Sequence, residues 1–189
     1  RMGSLVMDAS AMATTEPALV VDMDGTLVRT DTLHEALLGL VADPAAGPAL
    51  LRALRRGKAP FKQAVADRAL AATDQLPLDE DVIELIRAAR AEGRRVALVS
   101  ASDHRQVEAV AAAVGLFDEA FGTGSPEAEG VNLAGAAKAA FLTARYGAKG
   151  FDYIGDSAAD LPVWAAARRA MTVRASRSLR TAVAVAAPQ

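Results

Sequence analysis

The stretch Ala18–Arg29, ALVVDMDGTLVR, constrains this chain more than any other part of it. Ala18 to Val21 form an apolar run that reads as a buried strand, and Asp22 and Asp24 leave its end. Gly25-Thr26 then turns the backbone. A buried strand ending in acidic residues and a glycine has the geometry of a site at the carboxyl edge of an open α/β sheet. The remaining chain must then supply more strands, helices to cover them, and partners for two aspartates.

The pattern downstream meets that demand. Val96–Val99 is a second apolar strand, running into Ser100-Ala101-Ser102-Asp103. Glu119–Phe121 reads as a short third strand, Phe151–Ile154 as a fourth followed by Gly155-Asp156-Ser157, and Ala170–Val173 as a fifth. Between them lie helical periodicities. Asp79 caps one in which Val82, Ile83, Ile86 and Ala89 recur, and others cover Gln106–Val114, Leu133–Tyr146, Leu161–Ala167 and Ser176–Ala187. The loop 122–130, rich in Gly, Ser and Glu, reads as exposed. Strands alternating with helices predict an α/β fold, a three-layer Rossmann-like parallel sheet covered on both faces. Thr30 to Ala72 is helical, with Leu33, Leu37, Leu38 and Val41 on one stripe, and is too rich in helix for a simple crossover. It is expected to form a small helical cap over 31–73, inserted after the first strand. The core then comprises 18–30 and 74–180. Residues 1–17 read as a disordered leader and 181–189 as a tail, a boundary inside a longer protein.

Composition narrows the function classes. The 189 residues carry a formal charge of -2, with basic residues scattered, so no global field favours nucleic acid. The chain has no cysteine, which excludes disulfides, thiolate metal sites and cysteine nucleophiles. It fits a reducing compartment, and a cytoplasmic location is expected. Two histidines, His34 and His104, are too few for a histidine metal cluster. No apolar run approaches the ~18 residues of a membrane-spanning helix.

Chemistry gathers at the strand ends. Asp22 and Asp24, Ser100 and Asp156 each follow a strand, and in an open sheet such ends converge on one crevice. Lys138, near the start of a helix, can point to the same place. Carboxylates can hold a hard cation such as Mg²⁺. The cation and the amine then offset the charge of a phosphoryl group. Each residue also has an ordinary reading: Asp22, Asp24 and Asp156 as turn or cap acids, Gly25-Thr26 as a local turn, Ser100 as a helix cap, Lys138 as a solvated amine, and Asp160 as an acid at a helix start. His104 and Arg105 read as first-turn surface residues and Trp164 as core. Lys149, the rival lysine, precedes the fourth strand and belongs at the opposite edge.

VVDMDGTLV, the strand ending in Ser100, Lys138 and GDSAAD together resemble the four signature motifs of the haloacid-dehalogenase-like phosphatase superfamily. The resemblance covers Leu19 to about Val173. The run Asn132-Leu133-x-Gly135-x-x-Lys138, with GDSAADLPVW, looks closest to the soluble domain fused ahead of a polyprenyl-transferase membrane domain in some bacteria. That resemblance implies a Mg²⁺-dependent phosphomonoester hydrolase, with Asp22 as nucleophile forming an aspartyl-phosphate and Asp24 as general acid/base. Asp156 would complete the Mg²⁺ site with Asp22 and the backbone carbonyl of Asp24, and Asp160 would support it or act through water. Ser100 and backbone N–H groups near Gly25 and Ala101 would hold phosphoryl oxygens, and Lys138 would neutralise developing charge. The implied substrate is a phosphorylated metabolite or a lipid-linked phosphate ester, and a fused membrane domain would make this the cytoplasmic part of a membrane protein. Competing readings are a regulatory or docking domain with weak turnover, and a phosphomutase. A receiver domain is disfavoured by the DxDGT pattern and the inserted cap. A dehalogenating hydrolase is disfavoured because a leaving halide needs no acid at Asp24.

Overall fold

The computed structural model describes residues 16–29, 52, 77–128 and 130–187. The expected cap over 31–73 and leader over 1–17 lie outside the described residues, apart from 16, 17 and 52. Five strands, β1 (Ala18–Asp22), β2 (Val96–Asp103), β3 (Glu119–Thr123), β4 (Phe151–Gly155) and β5 (Ala170–Thr172), form one sheet of order β3-β2-β1-β4-β5. Every neighbouring pair is parallel. All five carboxyl ends therefore share one side, and β1 lies at the centre.

Strand alternation explains the three layers. Val20, Ala97, Val99, Phe151 and Tyr153 point to one face and meet α3 (Gly135–Tyr146), α4 (Leu161–Ala166) and α5 (Arg177–Ala186) through Leu142, Trp164 and Val183. Leu19, Val21, Val96, Leu98 and Ile154 point to the other. There they meet α1 (Glu80–Ala91) and α2 (His104–Val114) through Val82, Ile86, Val107 and Val110. Trp164 is fully buried, as expected, and its indole N–H donates to the Met171 carbonyl at 3.1 Å. The predicted parallel α/β architecture is the observed one.

Three local expectations need correction. β2 does not stop at Val99 but runs to Asp103, and α2 begins at His104, two residues before the expected Gln106. The polar run reads as a loop, yet an irregularity in the pairing with β3 lets the strand continue. His104, expected at the surface, has a side chain only 17% exposed, leaning on Glu108 at 3.4 Å. The segment 122–130 is not simply exposed: Gly122 and Thr123 finish β3, and Ser125 and Ala128 are buried around a 3₁₀ turn at Pro126–Ala128. Gly122 is there for close packing, since a Cβ would fall 2.4 Å from the His104 Cα. The helical pattern over Ser176–Ala187 is the observed α5, which Ser176 caps and Val183 anchors in the core.

The foot of the sheet, opposite the strand tips, holds a buried charge cluster. The Asp152 carboxylate accepts from Arg94 at 2.6 Å and from two Arg168 nitrogens at 2.8 Å each. Arg94 also donates to the Pro17 carbonyl at 2.8 Å, fixing the entry to β1. Burial pushes the Asp152 carboxyl up, but Arg168 and Arg94 outweigh it and hold it below its usual range. Its contribution is therefore present above the ordinary aspartate range and fades as pH falls. Asp152→Ala is expected to lower unfolding free energy by about 2–3 kcal/mol, the low side of a broken buried pair because Arg168 still meets water. Urea denaturation at pH 7 measures the loss, and an unchanged midpoint would contradict it. Lys149 is also on this side, donating to the Ala165 and Ala167 carbonyls at 2.8 and 2.9 Å, as its position before β4 demands.

Candidate active site

The tips of β1, β2 and β4 bring the expected residues together. Asp22 ends β1, and one oxygen from each of Asp22, Asp156 and Asp160 lies within 4.8 Å of the others. Thr26, fully buried, stands 3.4 Å from both Asp22 and Asp156, so the Gly25-Thr26 turn bridges β1 to the end of β4. Gly25 is required at this point: its φ is +76°, and a Cβ would lie 2.1 Å from Asp156 Oδ2. The aspartates can close together because Gly25 carries no side chain.

Lys138, on the first turn of α3, reaches down into the cluster. Its Nζ donates to Asp22 Oδ1 at 2.6 Å, to the Tyr153 hydroxyl at 3.1 Å and to Asp160 Oδ1 at 3.3 Å. Three acceptors use all three protons of the ammonium, which suits a lysine buried to this degree. Asp160 is thus more than an acid at a helix start. It stands inside the cluster, and it also accepts from the Tyr153 hydroxyl at 2.8 Å.

Electrostatics explain the opposite demands of the pair. Burial pushes the Asp22 carboxyl up to about 7, against the pull of Lys138 and with added repulsion from Asp160 and Asp24. Burial also works against the Lys138 charge, yet Asp22 and Asp160 hold its ammonium above the usual lysine value. The asymmetry follows from the count: one ammonium gains from two carboxylates, while each carboxylate has a share of one ammonium. Asp156 is likewise raised, by burial and then Asp160, with Thr26 and Arg174 opposing. Oxygen donors in an acidic, partly desolvated cluster fit a hard divalent cation, whose charge would relieve that repulsion.

Asp24 faces elsewhere. Its Oδ2 accepts from the Ser100 hydroxyl and from the Ser102 hydroxyl, each at 2.8 Å. Among the described residues, the carboxylates grouped at the tips are Asp22, Asp156 and Asp160. Ala101 lies between the two serines, and its carbonyl accepts from Thr123 Oγ1 at 2.8 Å.

Ser102, Tyr153 and Arg174 are absent from the expected site. Arg174, beyond β5 at φ +50°, donates to the Asp79 carboxylate and the Gly25 carbonyl, and to the Thr26 carbonyl at 3.1 Å. It clamps the Gly25-Thr26 turn to the start of α1. There Arg29 N donates to Pro77 O and Asp79 N to Leu27 O, each at 2.9 Å, so the two ends of the inserted segment run side by side. A groove at the foot of the sheet, between Arg90, Arg94, Arg95, Asp118 and Glu119, is far from these tips. Its guanidinium groups already face Asp118, Asp152 and Glu119 at 2.9, 2.6 and 3.8 Å.

Comparison with known proteins agrees with this fold. The fold is similar to that of a HAD family hydrolase, t0658, from Salmonella enterica serovar Typhi, with a TM-score of 0.63 and 21% identity over 88% of this chain and 66% of that one. It is also similar to phosphoserine phosphatase captured as an analogue of its phospho-aspartyl intermediate, with a TM-score of 0.57 and 16% identity over 88% and 90% of the two chains. CbbY of Rhodobacter sphaeroides, in complex with xylulose-1,5-bisphosphate, superposes with a TM-score of 0.56 and 20% identity over 83% and 85%. In sequence, protein y4nM of Sinorhizobium fredii is 36% identical over 158 residues, which is 82% of this chain and 29% of y4nM. The chain thus spans under a third of that relative. Residues 19–165 match the model of the haloacid dehalogenase-like hydrolases, and the chain belongs to that family.

Proposed function

We propose that this chain is a Mg²⁺-dependent phosphomonoester hydrolase that works through an aspartyl-phosphate on Asp22. The observation that carries the reading is the convergence of Asp22, Asp156, Asp160 and Lys138 at the tips of β1 and β4. Phosphoserine phosphatase, captured as a phospho-aspartyl intermediate analogue, and CbbY, in complex with xylulose-1,5-bisphosphate, share the fold. That supports a phosphoryl group as the one handled here.

The chemistry follows from the side chains. The Asp22 carboxylate attacks phosphorus, and the P–O bond to the alcohol breaks. Asp24 donates its proton to the departing oxygen, then takes a proton from the water that attacks the aspartyl-phosphate. Phosphate leaves and Asp22 is restored. Lys138 grips Asp22 Oδ1 and so fixes the carboxylate's orientation. Ser100 and the backbone N–H groups near Gly25 and Ala101 hold phosphoryl oxygens. Asp22, Asp156 and the Asp24 carbonyl, with Asp160 in support, would hold Mg²⁺, which would supply the positive charge that an anionic substrate needs in so acidic a crevice.

The substrate class is a phosphorylated metabolite or a lipid-linked phosphate ester. A larger chain around this domain, with a polyprenyl-transferase membrane part and a cytoplasmic setting, belongs to the same proposal. The length of y4nM beyond the matched segment supports a larger chain. The test is a screen of phosphate esters, lipid-linked ones included, for phosphate release. Release is expected with Mg²⁺, lost on adding EDTA and restored by excess Mg²⁺. No release from any ester, or release indifferent to EDTA, would overturn the reading.

A further inference from the structure

Two hydroxyls hold one oxygen of Asp24, and a phosphatase needs one of them elsewhere. Ser100 Oγ donates to Asp24 Oδ2 at 2.8 Å while accepting from the Ser102 N–H at 2.9 Å. A serine hydroxyl has a single proton to give. If Ser100 turns that proton to a phosphoryl oxygen, its bond to Asp24 is lost. Ser102 Oγ, also 2.8 Å from the same oxygen, remains.

The backbone puts Ser102 there by a specific device. β2 pairs with β3 at Val99–Phe121 and again at Asp103–Thr123, so β2 spends four residues where β3 spends two. The excess bulges at Ser100-Ala101-Ser102 and turns both serines toward β1. The bulge is braced from the β3 side. Thr123 Oγ1 holds the Ala101 carbonyl at 2.8 Å, and Gly122 lets β3 come close beneath His104 and the Ser102 carbonyl. Bulges of this kind re-aim side chains next to sites.

We infer that Ser102 is a positioning residue, holding the Asp24 carboxyl toward the departing oxygen while Ser100 is engaged with the phosphoryl group. The inference rests on the proposed phosphatase reading, and the following experiment separates the two. Substituted phenyl phosphates of one size but different leaving-group pKa are hydrolysed by wild type, Ser102→Ala and Ser102→Thr with saturating Mg²⁺. The ratio kcat/KM reports the steps through aspartyl-phosphate formation, where Asp24 acts as acid.

With Ser102→Ala, kcat/KM should fall about 10- to 100-fold for the poorest leaving groups, part of the ~100-fold or more that a positioned acid contributes. It should fall under about 3-fold for p-nitrophenyl phosphate, whose leaving group needs little protonation. The dependence on leaving-group pKa therefore steepens. Ser102→Thr, which keeps the hydroxyl, should restore the wild-type slope. A uniform loss across the series, or a slope that threonine fails to restore, would overturn the role of Ser102. Absence of wild-type hydrolysis across the series would instead overturn the phosphatase reading.

Discussion

Asp22→Asn is expected to abolish turnover while steadying the metal-free fold. Loss of a nucleophile typically costs at least about 10,000-fold in kcat, because later steps cannot begin. The stability gain has a different origin. The folded protein holds the Asp22 carboxyl near 7 against an ordinary 3.8, chiefly through burial. The sign follows from linkage: the contribution of Asp22 is full below the ordinary value and is lost as pH rises through the folded one. Asparagine has no charge to lose. Its advantage in melting temperature over wild type should therefore grow between about pH 4 and pH 7 and then level off. Saturating Mg²⁺ should shrink that advantage, since a cation relieves the repulsion that Asp22 suffers. Thermal melts across pH, with and without Mg²⁺, check the stability half. Unchanged turnover would remove Asp22 from the nucleophile role.

Lys138→Met is the second large effect, and it acts on both chemistry and fold. The ammonium is buried between Asp22 and Asp160 at 2.6 and 3.3 Å. Removing one such electrostatic donor costs about 100- to 1000-fold in kcat. It also leaves two buried carboxylates without their counter-charge, about 3–5 kcal/mol in metal-free protein near neutral pH. Part of that loss should return with Mg²⁺. Urea denaturation and phosphate release, each titrated with Mg²⁺, measure the two halves. A kcat within about 10-fold of wild type would show that Lys138 is an anchor of the fold alone.

Features written in local pattern were legible from the sequence. Apolar runs ending in DMDGT, SAS and GDSAAD announce strand tips, and parallel pairing then forces those tips together. Lys138 could be placed because the first turn of α3 follows β3 on the same side of the sheet. Residues that depend on long-range geometry were not legible. Tyr153 lies in an apolar strand and reads as core, and nothing local says that its hydroxyl meets Lys138 and Asp160. Ser102 looks like one more polar residue before a helix, because the bulge that aims it is set by pairing with β3. Arg174 is a lone arginine past the last strand, and its reach to Gly25 and Thr26 follows from a left-handed backbone position that residue type does not reveal. Asp160 was foreseen in kind but not in depth. Its place inside the cluster follows from the 3₁₀ turn Ala158–Asp160, which brings it back over Gly155.

The charge cluster around Asp152 sits at one pole of the sheet and the crevice at the other. An engineer seeking a hardier catalyst therefore has a region to work on that shares no side chain with the reacting groups. Substitutions around Arg94 and Arg168 can be selected for heat tolerance without the usual sacrifice of rate. By the same separation, a support coupled near Pro17 would leave the working end of the molecule turned outward.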